Sequence, residues 1–480
     1  MKTKILYFLI ALLIIGFTDS CKTVEQNVVI EDKKAKYVFV FIGDGMGEAH
    51  IHLTEAYLAA INGRTDLEHL IMSDFPIIGI QTTFANDKFI TGSAASGTAL
   101  ATGHKTNYGT ISMAPNYVDT LFSIAYFAHN AGMKVGIIST AGINHATPAT
   151  FYAHQNKRNQ YYEIALQLHK SNFDVFGGGG FISPNGRQKK PLKNAYDITE
   201  ENGYKVIRDN EDFNKLKYGD NKVLMVSPEI SDYGDIPYSI DQTDDMLNLG
   251  DYTKKAIQLL DNPDGFFIMV EGGKIDWAAH ANDGATVIQE VIDFDNALLE
   301  AVKFYERHPN ETIIIVTADH ETGGLALGNE NMHYEVNFSI LKNQKGSVDA
   351  FNNLIVDFIK QNTINDFTFK KALEMGEDFF GIDIKTLTKE EIRKLKKAHS
   401  EFIKTNKDKD LTYGRAGIVA TTWLSILNSR AGVGWTTSAH TGNPVPLRAL
   451  GFKQEIFGGF YDNTDVPKRL AEIMKLKMTH

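Results

Sequence analysis

A single cysteine, Cys21, occurs in 480 residues, so the chain cannot close a structural disulfide within itself. Beyond the N-terminal segment no apolar run is long enough to cross a bilayer. No cluster of Lys and Arg is long enough to form a nucleic-acid footprint, and the formal net charge is −10. Internal repeats and low-complexity segments are also lacking, which excludes solenoids and disordered arrays. What remains is a globular composition, with 43% hydrophobic and 22% charged residues. The length suits one large α/β domain with inserted segments.

The N-terminus reads as a targeting segment. Lys2 and Lys4 precede a near-continuous apolar stretch from Ile5 to Phe17, which has the size of a signal h-region. Cys21 follows directly, after Thr18-Asp19-Ser20. A lone cysteine in that place resembles the lipidation site of a bacterial lipoprotein. The expectation is a signal peptide over 1–20, a polar tether over 21–35, and an exported protein anchored through Cys21 in the periplasm or outer membrane. The catalytic domain is then expected over 36–480.

Four short apolar runs lie along that domain: Tyr37–Ile42, Lys134–Ile138, Gly265–Val270 and Thr312–Val316. They show little polar alternation, as strands do when a sheet is buried on both faces. Helical spacing between them, as at Val287, Val291, Phe294 and Leu298, predicts an α/β/α sandwich with a large, mostly parallel sheet. Residues about 180–245 and about 330–430 break this rhythm and read as insertions. The second contains a charged helix from Thr388 to Lys404, opened by Thr388 and Glu391 at the spacing of a capping box.

Three of the four strands run into Asp44, Glu271 or Asp319-His320. In doubly wound sheets, ligands bind beyond the carboxyl ends of the strands. Asp276 and His280 are four residues apart, so a helix places both on one face. With His440 these groups form a divided set of carboxylates and imidazoles. Mixed Asp/His ligation without cysteine suits zinc at open sites, and a pair of metal ions suits in-line displacement. An isolated histidine is more often a packed side chain, and His50, His69, His129, His169, His308, His333 and His399 are read so. Ser93 opens a run of small residues to Gly103. A serine on the first turn of such a helix sits at the positive end of its dipole, where a phosphate is welcome.

Taken in order, Asp44-Gly-Met-Gly47, Thr91-Gly-Ser-Ala-Ala-Ser96, Ala146-Thr-Pro-Ala149, Glu271-Gly-Gly-Lys-Ile-Asp276 with His280, Thr317-Ala-Asp-His-Glu-Thr-Gly-Gly324 and His440-Thr-Gly-Asn-Pro-Val-Pro446 resemble the motifs of the alkaline phosphatase family. The resemblance spans roughly residues 37–450. It implies hydrolysis of phosphate monoesters through a phosphoserine on Ser93, with homodimers common. It implies one zinc ion on Asp276, His280 and His440 and a second on Asp44, Asp319 and His320. A magnesium ion is implied on Asp44, Thr147 and Glu271, and Arg158 as the grip on phosphate oxygens. Those cations and Arg158 would turn an acidic protein's pocket positive.

The chain departs from the commonest family pattern at three places. Gly92 stands where an Asp often precedes the nucleophile, which takes one orienting partner from Arg158. His145 and Trp277 stand where other members carry Asp, and Lys or His, near the third metal and the phosphate. The expectation is that magnesium is retained with His145 outside its inner shell, and that Trp277 holds product phosphate less tightly than a Lys. The alternatives are a phosphodiesterase or sulfatase on the same fold, or a lipid-anchored binding protein without turnover.

Overall fold

Aromatic and β-branched residues dominate the central strands, and these residues are buried on both faces of a pleated sheet. In the computed structural model, which describes residues 33–406 and 417–479, the strands are β1 (Tyr37–Gly43), β2 (Ile77–Thr82), β3 (Lys134–Ser139), β4 (Val175–Gly178), β5 (Lys205–Ile207), β6 (Val223–Val226), β7 (Phe266–Gly272) and β8 (Thr312–Thr317). The remaining strands are β9 (Glu321–Thr322), β10 (Leu325–Leu327), β11 (Val433–Trp435), β12 (His440–Thr441), β13 (Val445–Gly451) and β14 (Gly459–Asp462). Ten of them form one sheet in the order β14-β2-β13-β8-β1-β7-β3-β4-β6-β5. All adjacent pairs are parallel except those made by β13, which runs against both β8 and β2.

The alternation along β1 explains why its sequence shows no polar period. Val38, Val40 and Ile42 enter one apolar cluster, while Tyr37, Phe39 and Phe41 enter another on the opposite face. The helices Tyr161–Ser171 and Asp465–Met474 cover the first face through Ile164, Leu168, Val466 and Leu470. Leu249–Leu260 and Gly284–Arg307 cover the second, the latter through Val287, Val291, Phe294 and Leu298. The three-layer α/β/α sandwich expected from the sequence is therefore the observed architecture.

The region about 180–245 is more than an insertion, because it supplies β5 and β6, the outermost two strands on one side of the sheet. These strands have three and four residues, too short to stand out in a polar segment. The region about 330–430 carries the helices Val348–Gln361, Phe369–Phe380, Lys389–Asn406 and Ile418–Ala431. They close a third apolar cluster around Trp423, whose ring stacks on Phe380 at 6.2 Å. Thr388 and Glu391 exchange the two hydrogen bonds of a capping box at the start of Lys389–Asn406.

The expected signal peptide and the lipidation site at Cys21 lie outside the described residues. Among the described residues no helix is long and apolar enough to cross a membrane.

Candidate active site

Strand register brings the site together. Glu271 on β7 lies beside Ile42 of β1 and Ser139 of β3, and Ile42 lies beside Thr317 of β8. Adjacent strands thus end on a common edge, with Asp44 one residue beyond β1 and Asp319-His320 two residues beyond β8. The turn after Asp44 needs glycine. Gly45 has φ +74°, and a Cβ there would meet Thr322 Oγ1 at 2.8 Å and Asp276 Oδ1 at 2.9 Å. The short helix Lys274–His280 follows β7 and carries Asp276 and His280. His440 arrives on β12, which pairs antiparallel with β9 directly after His320.

Three groups of potential ligands result, each with its atoms within 4.8 Å of one another: Asp276 with His280 and His440, Asp44 with Asp319 and His320, and Asp44 with Glu271 and His145. Thr147 joins the last by donating its hydroxyl hydrogen to Asp44 Oδ2 at 3.2 Å. Asp44 Oδ1, Glu271 Oε1 and Asp319 Oδ2 are buried and meet no hydrogen-bond donor. Such carboxylate oxygens are costly unless a cation faces them.

The imidazoles are arranged the same way. His280 Nδ1 lies 2.7 Å from the carbonyl of Ser438, and His440 Nδ1 lies 2.9 Å from that of Thr91. A carbonyl only accepts, so both Nδ1 atoms carry hydrogen and both Nε2 atoms present lone pairs when the rings are neutral. Yet the two Nε2 atoms are 3.0 Å apart. Two lone pairs at that distance call for a shared proton or a metal ion. His320 is set by Thr322, whose hydroxyl donates to Asp276 Oδ1 at 2.5 Å and lies 3.2 Å from His320 Nδ1. Having donated its hydrogen, that oxygen accepts from Nδ1, and the bare His320 Nε2 faces Ser93 Oγ at 3.4 Å. The donor set therefore fits two nitrogen-and-oxygen sites and one richer in oxygen.

The titration behaviour follows from this crowding. Burial, then the charge of Asp319, pushes Asp44 well above the usual carboxylate range. Burial pushes Glu271 up to about 7 despite the hydroxyl bond from Ser139, and it raises Asp319 to about 7 with help from the Asp276 charge. Asp276 is the exception: burial opposes its charge, but the bond and charge of His280 outweigh burial and hold it low. In return Asp276 lifts His280 to about 9 against the effect of burial. Burial, then the Arg158 charge, presses His145 down to about 3, so its ring is neutral.

Ser93 opens the helix Ser93–Thr102, every residue of which is buried. Ser96 on the same turn donates to the Asp319 carbonyl and accepts from Asn463 Nδ2 at 2.9 Å, tying the helix to the ligand loop. Arg158 comes within reach through its backbone N–H, which donates to the Gly109 carbonyl at 2.8 Å. Its guanidinium lies 2.9 Å from His145 Nε2. Arginine only donates, so Nε2 accepts and the proton sits on Nδ1, which is buried without a partner. Trp277 packs edge-on to His145 with ring centroids 5.6 Å apart.

The departures from the family pattern have physical correlates. A Cβ on Gly92 would fall 2.8 Å from the Tyr108 ring, which fills the place of a side chain there. Arg158 accordingly takes His145 as its partner. Thr322, Ser139 and Glu321 also serve the site, beyond the residues that the sequence pattern points to. Thr322 and Glu321 lie inside the Thr317–Gly324 motif, and that place is their signal in the sequence. Glu321 accepts from Thr441 Oγ1 and from Leu325 N–H, the latter at 3.2 Å, and so fastens the β9–β12 pair that carries His440.

A buried sheet edge with a serine beside three groups of candidate metal ligands defines a hydrolase of the α/β/α type. A sequence profile named Alkaline phosphatase matches residues 35–476. The chain belongs to the alkaline phosphatase family, and the enzyme is an alkaline phosphatase. Alkaline phosphatase 3 of Bacillus subtilis (strain 168) is 31% identical over 451 residues, which cover 92% of this chain and 89% of that protein. The repressible alkaline phosphatase of Saccharomyces cerevisiae is 28% identical, covering 93% of this chain and 82% of its own. Among solved structures, the cold-active alkaline phosphatase of the psychrophile Shewanella sp. matches with a TM-score of 0.75 at 29% identity, over 91% of this chain and 99% of that one. The Thermus thermophilus alkaline phosphatase also gives 0.75, at 26% identity, over 93% and 92%. These likenesses place the monoesterase reading above the diesterase, sulfatase and non-catalytic alternatives.

Proposed function

We propose that this alkaline phosphatase hydrolyses phosphate monoesters through a phosphoserine on Ser93. Asp276, His280 and His440 would hold one zinc ion, Asp44, Asp319 and His320 a second, and Asp44, Thr147 and Glu271 a magnesium ion. The observation that carries this is the bare His320 Nε2 lying 3.4 Å from Ser93 Oγ among buried carboxylate oxygens that meet no donor. When bound, the ions would supply Lewis-acid stabilisation of the attacking and departing oxygens and offset the carboxylate charge.

The chain's own residues account for the remainder. The Arg158 fork grips two phosphate oxygens and turns the ester in line with Ser93. His145 orients that fork through Nε2. Because Nε2 is engaged and Nδ1 is protonated, His145 has no lone pair to offer a metal while this bond holds, which supports its place outside the inner shell. Ser93 Oγ attacks phosphorus as its proton passes to solvent water, and the ester oxygen departs and takes a proton from solvent water. Water then displaces Ser93 from phosphorus and releases inorganic phosphate. Trp277, which adds no charge beside His145, leaves that phosphate to Arg158 and the ions.

The test is acid-quenched turnover with radiolabelled monoester, followed by peptide mapping. Label on Ser93 and two zinc ions with one magnesium per chain are expected. Label on another residue would overturn the assignment. A chromogenic monoester, diester and sulfate compared side by side should show the monoester strongly preferred.

Export and anchoring are proposed on the N-terminal sequence, with lipid on Cys21. Intact mass should show the acyl chains, and Cys21→Ala should release the protein from membranes. A homodimer is proposed as well. On the sheet, Ile78, Ile80 and Phe460 are 59%, 45% and 68% exposed, an apolar patch that a second copy would cover. Sedimentation should give the dimer mass, and Ile78→Asp should lower it.

A further inference from the structure

A cavity of about 1640 Å³ opens beside the candidate site. His145, Trp277 and His280 line it, together with Leu424 and Asn428 of Ile418–Ala431. Small-molecule sites commonly have volumes of roughly 300–1,000 Å³, so this space greatly exceeds what a phosphate group fills. Because His145, Trp277 and His280 border both this space and the candidate site, it is where the organic part of an ester would lie.

Its inner wall is made of rings. Tyr233 meets Trp277 edge to face, with centroids 6.3 Å apart and an interplanar angle of 79°. Tyr233 is 49% exposed and lines the cavity. The segment carrying it is fastened from beneath. Lys274 and Asp235 form an ion pair with both side chains buried, and Lys274 Nζ lies 3.7 Å from the Tyr238 ring centroid and 5.2 Å from that of Trp277. Ser231 donates to Asp235, and the Gly180 N–H donates to the Gly234 carbonyl at 2.7 Å. The rings are thus held before any substrate arrives, which limits the ordering cost of binding.

The charge of the lining selects as well. The Lys274 charge is matched by Asp235, and the Glu391 charge by Arg430. Beside these pairs, the charged side chains lining the cavity are Glu229, Asp241, Glu330 and Asp349, which are acidic, and Lys394, which is basic. Aromatic faces favour flat rings, and the acidic excess disfavours a leaving group with its own negative charge. We propose that this cavity is a leaving-group subsite that favours phosphate monoesters of bulky, flat-ringed, uncharged alcohols, with nucleoside monophosphates as the matching class. The inference rests on the Ser93 reading above. The chemistry is the same hydrolysis: phosphorus exchanges its bond to the nucleoside oxygen for one to Ser93, the nucleoside leaves with a proton, and water completes the cycle.

The experiment compares kcat/KM for adenosine 5′-monophosphate, adenosine 5′-diphosphate and glycerol phosphate, in the metal-loaded enzyme and in Tyr233→Ala and Tyr233→Phe. The monophosphate should exceed glycerol phosphate by about tenfold, the size of one stacking contact, and should exceed the diphosphate, which carries the same ring, through the charge of the diphosphate's leaving group. Tyr233→Ala should erase most of the advantage over glycerol phosphate through KM while leaving the advantage over the diphosphate, and Tyr233→Phe should keep both. Equal kcat/KM for the three substrates, or equal losses for all three in Tyr233→Ala, would overturn the subsite. A different failure, phosphoenzyme trapped on a residue other than Ser93, would overturn the reading on which the subsite rests.

Discussion

At the carboxyl edge of the sheet, Asp44, Glu271 and Asp319 each bury an oxygen that meets no donor, whereas in the helical insertion Trp423 and Phe380 bury their rings against one another. The first region is held in a costly arrangement by the sheet beneath it. The second gains stability from its own contacts. Function is therefore expected to respond to changes at the edge with little change in folding, and stability to changes in the insertion with little change in chemistry. The cavity that runs from Trp277 to Leu424 is where the two regions meet.

The sharpest way to break this contrast is Ser93→Ala. Turnover should fall about a thousandfold or more with Tm unchanged, as stopped assays and calorimetry would show. A large drop in Tm would mean that the edge also carries stability. The reciprocal change is Trp423→Ala, expected to cost about 3–5 kcal/mol in denaturant unfolding while the phosphoserine still forms at a near-normal rate. Chelation tests the edge alone. Glu271 and Asp319 have folded values raised to about 7, so the stripped protein keeps their contribution below the ordinary carboxylate range and loses it as pH rises toward about 7. The fall in Tm on chelation should be larger at about pH 8 than at about pH 5, and a reversed trend would contradict the charge crowding. Thr322→Val removes the hydroxyl between Asp276 and His320, and zinc affinity by chelator competition should weaken about 10–100-fold. The smallest effect should come from Thr388→Ala, which strips one cap of Lys389–Asn406 and costs about 1 kcal/mol without altering turnover.

The strands β1, β3, β7 and β8 were legible because burial on both faces leaves an unbroken apolar run. The strands β5 and β6 were not, since edge strands of three and four residues carry too little pattern. The reversed direction of β13 had no local signal either, and Pro446 and Arg448 within it obscure the strand. At the site, residue types and motif order pointed to Asp44, Ser93, Asp276, His280, Asp319, His320 and His440. What the sequence could not show was geometry made by distant segments. Examples are Tyr108 filling the space beside Gly92, and His145 replacing a carboxylate as the partner of Arg158. Tyr233 was invisible for the same reason, because its place beside Trp277 depends on a buried ion pair between residues 39 positions apart.

The direction of β13 also bears on the order of assembly. Running against β8, with Leu447 opposite Thr317, it begins at the edge where its neighbours finish, and the chain must reach that edge before entering it. His440 is delivered on that approach, some 120 residues after His320. A growing chain that has emerged only through β8 holds Asp276 and His280 but not their third partner. The imidazole pair can close only once β12 has docked, so a cation bound there would reward chains that have reached this late segment over unfinished ones and act as a late latch on folding.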